Sequence, residues 1–119
     1  MNELTLVIPI EPPSGNHYKT YRQVCGHVSW YLTKEAMAWL QAVQLYARGS
    51  VVAGKKHVVE YTVHQGAKSK GDVDNYAKCI LDGLVKAGVL KSDASVVSLH
   101  AHKLRNRENP RTEITVRAI

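Results

Sequence analysis

Residues 73–87 carry the clearest periodicity in the chain, and it constrains the fold more than any other feature. Val73, Tyr76/Ala77, Ile80/Leu81, Leu84 and Ala87 recur at helical spacing and form one apolar stripe. Gly88 follows as a plausible residue just past the helix end. The neighbouring segments keep the two-residue period of strands instead. Val58, Glu60, Thr62 and His64 alternate with Val59, Tyr61 and Val63, so a strand is predicted over 57–64. Two more are predicted at about 96–104 and 111–118.

The rest of the chain completes the order. Leu4, Leu6, Ile8 and Ile10 alternate with Thr5, Val7 and Pro9 as a half-buried strand, and Pro9 marks a sheet edge or the strand's end. Pro12-Pro13-Ser14-Gly15-Asn16 is turn chemistry. Residues 17–31 hold Tyr18, Tyr21, Val24, Val28, Trp30 and Tyr31 around Gly26, and read as a hairpin or an irregular two-stranded arm. Thr33 is placed to cap a helix whose Ala36, Met37, Leu40, Val43, Gln44 and Ala47 follow at helical spacing. Gln65 to Gly71 is a polar, basic loop. The order is β, arm, α, β, α, β, β. The last two strands, joined by Asn106-Arg107-Glu108-Asn109-Pro110, are expected to form an antiparallel hairpin. The expected fold is a single α+β domain over 1–119, with a mainly antiparallel sheet and two helices.

Composition sets outer limits. A chain of 119 residues, 45% apolar and 22% charged, can bury one modest core and is not disordered. No run of about 18 apolar residues exists to span a membrane. The first residues lack the basic and apolar regions of a signal peptide. Cys25 and Cys79 form no CxxC pair, and reduced thiols in a cytoplasmic protein are expected.

Charge is more informative. Sixteen Lys+Arg against ten Asp+Glu give +6, which favours a polyanionic partner, most often nucleic acid. All the aspartates, Asp72, Asp74, Asp82 and Asp93, fall within 72–93. Lys55, Lys56, Lys68 and Lys70 precede this block, and Lys103, Arg105, Arg107 and Arg111 follow it. Carboxylates framed by cations suit a metal-dependent nuclease, the acids holding metal and the cations holding phosphate. They also suit a solvated helix with ordinary surface ion pairs.

Asp72 and Asp74 flank the presumed start of the second helix. In an extended or turn segment, side chains two apart point the same way, so the pair can converge on one hard cation. Two such charges repel unless a cation lies between them. Lys78 stands four residues after Asp74, the favourable order for a helix ion pair, and is also placed to meet a phosphate. Asp82 continues that face as a surface or supporting residue. Asp93 is harder to place. A helix of about 15 residues is about 22 Å long. Five residues after Gly88 reach back only about 17 Å. Asp93 is therefore a strained third ligand within one subunit, unless the helix is shorter or bent, or a partner subunit brings it. From the residues alone, a metal site and surface ion pairing both remain open.

The joint pattern resembles the RusA family of Holliday junction resolvases. The resemblance rests on Asp72-Val73-Asp74-Asn75-Tyr76-Ala77-Lys78, Leu81-Asp82-Gly83-Leu84, Lys86-Ala87-Gly88-Val89 and Asp93-Ala94-Ser95-Val96-Val97. The turn Pro12-Pro13-Ser14-Gly15-Asn16 and His27-Val28-Ser29 match it too. It implies a homodimeric, Mg²⁺-dependent endonuclease, with Mn²⁺ as an alternative ion and no organic cofactor. Such an enzyme makes paired nicks in four-way junction DNA and leaves 5′-phosphate and 3′-hydroxyl ends. It implies Asp72, Asp74 and Asp93 as metal-site carboxylates, Lys78 as catalytic lysine, and a bacterial or phage origin. Asn16, Lys19, Arg22, Lys68 and Lys70 are the expected DNA contacts. Two positions depart: Gly71 stands where relatives often have arginine, and Ser92 where they often have a second acid.

Other residues have plainer readings beside functional ones. His57, His64, His100 and His102 read as ordinary sheet histidines rather than ligands or bases. Tyr18, Tyr21 and Trp30 fit core or dimer packing, or stacking on bases. Trp39 fits the core or a dimer interface. Lys103, Arg105 and Arg107 fit the exposed face of a strand. The competing functions are a non-catalytic nucleic-acid-binding module and a metal phosphohydrolase acting on small nucleotides.

Overall fold

A computed structural model describes residues 2–119. Six strands and two helices follow the expected order: β1 (Glu3–Ile8), β2 (Lys19–Val24), β3 (His27–Leu32), α1 (Lys34–Tyr46), β4 (His57–Gln65), α2 (Ala77–Lys86), β5 (Val96–Arg105) and β6 (Arg111–Ala118). Short 3₁₀ turns lie at Gly15–His17, Val73–Tyr76 and Asp93–Ser95. The fold class is α+β, as expected. No helix among the described residues is long and apolar enough to cross a membrane.

The main sheet runs β1-β6-β4-β5, and β2-β3 forms a separate hairpin. One expectation needs correction here. β5 and β6 are not a hairpin: β6 pairs antiparallel with both β1 and β4, and β5 lies on the far side of β4. The sheet is mainly antiparallel, as expected, with β5 alone running parallel to its neighbour β4. The cause is burial. β4 and β6 bury their alternating apolar residues and need neighbours on both edges. β5 puts Ser98, His100 and His102 on its outer face and tolerates an edge.

Both helices cover one face of this sheet. Trp39 and Val43 of α1 and Ile80 and Leu84 of α2 pack in one cluster with Leu6, Ile8, Val59, Tyr61, Val63, Ile114 and Val116. Trp39 is a core residue and donates its indole N–H to the Cys79 carbonyl at 2.8 Å. Thr33 caps α1, its hydroxyl accepting from the Ala36 amide at 3.1 Å. β1 is an edge strand that ends just before Pro9, consistent with the missing N–H of proline. His57 is buried between Ser95 Oγ and the Val52 carbonyl, each 2.8 Å away, so it holds structure. His64 bonds Glu113, and His102 bonds Glu60 at 3.0 Å, across the open face of the sheet.

Candidate active site

The acid-bearing turn lies where β4 gives way to α2. Asp72 precedes the 3₁₀ turn Val73–Tyr76, with Asp74 inside it. The turn is held from below. Tyr61, buried on β4, donates its hydroxyl to the Val73 carbonyl at 2.5 Å, between the two acids. Burial, reinforced by the charge of Asp74, pushes the Tyr61 hydroxyl up to about 12, so it remains a donor at neutral pH. Gln65 at the end of β4 donates to the Gly71 carbonyl and to the Tyr76 hydroxyl, both at 2.8 Å. Gly71 has a local reason to be glycine: a Cβ there would stand 2.3 Å from the Tyr76 hydroxyl oxygen.

The basic loop 66–71 is fastened at several points. Arg105 donates to the carbonyls of Gly66 and Ser69, and Lys103 to that of Gly71 at 3.4 Å. Glu11 accepts the Gly66 amide at 3.2 Å, while its other oxygen is buried among the described residues without a hydrogen-bond partner. Lys103 and Arg105 therefore serve the loop rather than a free strand face. Tyr61, Gln65, Tyr76, Arg105 and Glu11 were not singled out for these roles from sequence. Their one sequence signal is a polar atom placed among the apolar positions of a strand or helix stripe, as with Tyr61 and Tyr76.

Loop and turn wall an open groove of about 1020 Å³. Asp72, Lys68 and Lys70 line it on one side, and Glu11, Pro13, Asn16 and His17 on the other. Of the expected DNA contacts, Asn16, Lys68 and Lys70 meet here, while Lys19 and Arg22 lie on the hairpin.

The other expected site residues divide. Neither Asp72 nor Asp74 has an ion-pair or hydrogen-bond partner for its side chain among the described residues. Two exposed, unpartnered oxygen donors fit a hard divalent cation. Lys78 does not pair with Asp74. Its ammonium lies 3.7 Å from Asp82, one turn further on. The reason is helical geometry: residues 73–76 turn as 3₁₀ helix, so the spacing from Asp74 to Lys78 straddles a change of pitch. Asp82 also accepts from the Tyr18 hydroxyl at 2.6 Å, which makes it a supporting residue and takes Tyr18 into the core.

Asp93 stands elsewhere. It opens the short turn before Val96, and Val96 pairs with His57 at the start of β4. The acid-bearing turn sits over Tyr61, opposite Ala101, and its Gly71 carbonyl is reached by Lys103. Five to seven residues of strand, about 16–23 Å, separate the two levels. Among the described residues, no group of three or more His, Cys, Asp or Glu is arranged to hold a metal ion.

A groove that presents Lys68 and Lys70 beside Asp72, with Asp74 two residues further along the turn, has the make-up of a phosphodiesterase site, and comparison with known proteins places the chain more closely. Residues 52–117 match the family model described as Endodeoxyribonuclease RusA. The chain belongs to the RusA endodeoxyribonuclease family and is a nuclease, a hydrolase acting on DNA. It is 29% identical over 119 residues to the crossover junction endodeoxyribonuclease of Enterobacteria phage 82, covering 98% of this chain and 95% of that protein. The crossover junction endodeoxyribonuclease of Escherichia coli strain K12 shows the same identity and coverage. That of Shigella sonnei strain Ss046 is 28% identical with equal coverage.

Proposed function

We propose that this chain is a structure-selective endonuclease that resolves four-way DNA junctions by paired nicks, acting as a cytoplasmic homodimer with Mg²⁺. The observation that carries the reading is the pair of unpartnered carboxylates on one turn, Asp72 lining a groove together with Lys68 and Lys70 and Asp74 two residues further on. The lysines hold the phosphate backbone and the acids hold the ion. When bound, Mg²⁺ would neutralise phosphate charge and lower the pKa of a coordinated water. Lys78, exposed on the first turn of α2, is free to leave Asp82 for a phosphate oxygen. Tyr61 and Gln65 keep the acid-bearing turn in place while DNA pulls on the loop.

The third carboxylate comes from across the dimer: Asp93 of the partner subunit completes the site. The separation of Asp93 from Asp72 and Asp74 within one chain supports this reading. Each site would then need both subunits, and two-fold symmetry would set two sites on one junction.

The test is cleavage of a labelled mobile four-way junction, with Mg²⁺ and with EDTA, against linear duplex. Symmetric nicks that need the metal and vanish in Asp72→Asn, which still binds the junction, are the expected result. Tight binding without cleavage, indifferent to metal, would sink the reading. Mixing two inactive chains tests the shared site. In a heterodimer of Asp72→Asn with Asp93→Asn, a site shared across subunits leaves one site with all its acids, and single nicks return. With all acids drawn from one chain, the mixture stays silent.

A further inference from the structure

The β2–β3 hairpin forms a sheet of its own, joined by a two-residue turn in which Cys25 (φ 52°) and Gly26 (φ 80°) are both left-handed. That is the turn conformation that follows the natural twist of a hairpin. Its side chains do not follow the usual economy of a soluble surface. Every residue from Tyr21 to Tyr31 is exposed, with Trp30 at 67% and Tyr21 at 59%. A two-stranded hairpin open on both faces is marginal in water, so this exposure asks for a partner.

Its chemistry selects one. Tyr21 and Trp30 are cross-strand partners with ring centroids 5.4 Å apart, tilted by 54°. On the opposite face the Arg22 guanidinium lies 5.3 Å from the centroid of Tyr31. No acid occurs between Glu11 and Glu35, while Lys19, Arg22 and Lys34 all do. An acid-free arm repels a second copy of itself and attracts a polyanion. Its root is part of the groove wall: the Thr33 hydroxyl donates to the His17 carbonyl at 2.7 Å, and both residues line the groove.

We infer that the arm is a stacking platform for unpaired bases, with Trp30 and Tyr21 receiving bases released at a DNA branch point while Lys19, on the same face, holds the adjoining phosphate and Arg22 adds positive charge from the other face. Any base presents a π face to an aromatic ring, so such a platform reads unstacked geometry rather than sequence. A fully paired duplex offers it nothing to stack on. This rests on the junction-cleaving reading above and deepens it, because the arm supplies the preference for branched over linear DNA.

The two tryptophans make the inference measurable. Trp30 is exposed and Trp39 is buried in the core, so Trp30 reports ligands while Trp39 reports the fold. Wild type, Trp30→Phe and the double variant Trp30→Ala/Tyr21→Ala are titrated in EDTA with a four-way junction, single-stranded DNA and duplex. The expected result is quenching of wild-type emission by junction and single strand but not by duplex. The double variant should bind the junction roughly tenfold or more weakly, with duplex binding unchanged. Trp30→Phe, which keeps a ring, should retain most of the affinity. An unquenched Trp30, with junction affinity and cleavage intact in the double variant, overturns the inference and leaves the nuclease reading standing. A blue shift of Trp30 emission with protein concentration alone, lost together with the dimer in the double variant, also overturns it and makes the arm a self-association surface. Quenching by single strands in a protein that cuts no junction supports the platform and refutes the junction reading.

Discussion

Replacing Gly71 with alanine puts a methyl group where the Tyr76 ring already stands. The added Cβ would lie 2.3 Å from the hydroxyl oxygen, 2.5 Å from Cζ and 3.0 Å from Cε1. Neither side can yield freely. Tyr76 is 1% exposed, and its hydroxyl accepts from Gln65 at 2.8 Å and lies 3.2 Å from Ser69 Oγ. The Gly71 carbonyl is tied to Gln65 as well. Forcing a methylene into a packed site costs about 1–3 kcal/mol. Giving up one of these buried hydrogen bonds to relieve the clash costs about 1 kcal/mol instead. A loss of about 2 kcal/mol is expected, which moves a urea midpoint by about 1 M for a domain of this size. Trp39 fluorescence follows the unfolding. The decisive measurement is the cycle with Tyr76→Leu, which removes the oxygen and Cζ that the methyl meets. The double variant should be more stable than the sum of the single losses by at least about 1 kcal/mol. An unchanged midpoint for Gly71→Ala, or strict additivity in the cycle, would refute the packing account of this glycine.

Three further outcomes are expected. Tyr61→Phe removes the hydroxyl that carries the Val73 carbonyl, so single-turnover junction cleavage should slow about tenfold while junction Kd stays the same; an unchanged rate would remove Tyr61 from the site's support. Junction binding should weaken steeply as salt rises, because the contacts are mostly to phosphate, and a flat log–log plot from 50 to 200 mM would contradict that. Cys25 is exposed and Cys79 buried, so a thiol reagent at neutral pH should modify one cysteine in the folded protein and two in denaturant. Burial, reinforced by the charge of Asp82, pushes the Cys79 thiol from 9.0 up to about 12, and burial with the Asp82 hydrogen bond raises the Tyr18 hydroxyl as well. The unfolded chain therefore loses these protons first as pH rises. Their contribution is intact below about pH 9 and is lost on the way to pH 12, so urea midpoints should fall across that window.

The residues differ in how much of their position the sequence carried. The place of Asp72 and Asp74 at a helix entry was legible because it is local, with Asp72 just before the 3₁₀ turn and Asp74 inside it, whereas the same-face rule of an extended segment does not carry into that turn. The Lys78 partner was misjudged for an equally local reason, since a 3₁₀ turn and an α-helix look alike in an apolar stripe. Strand pairing was less legible. Periodicity marks which face of β5 and β6 is buried but says nothing about which strand lies alongside. The five-residue link 106–110 suits a hairpin as well as the crossing over β4 that the fold uses. The relative burial of the strands carried the missing signal. The alternating buried side chains of β6, Thr112, Ile114 and Val116, belong to an interior strand, and the exposed run of β5 to an edge.

That edge bears on the shared site. With β5 placed beside β4 rather than beside β6, Asp93 enters at the His57 end of the parallel pair, and the acid-bearing turn sits toward the other end. The short reach from Gly88 already made Asp93 a difficult ligand within one chain, and the strand order leaves the difficulty standing. A second subunit, as proposed, would resolve it without bending α2, whose apolar stripe is committed to the core through Ile80 and Leu84. On the proposed shared site, a lone subunit would hold only Asp72 and Asp74 and would not nick a strand by itself. Dilution below the dimer dissociation constant should therefore abolish cleavage altogether rather than convert paired nicks to single ones. Single nicks persisting at concentrations where sedimentation shows only monomer would rule out the shared carboxylate.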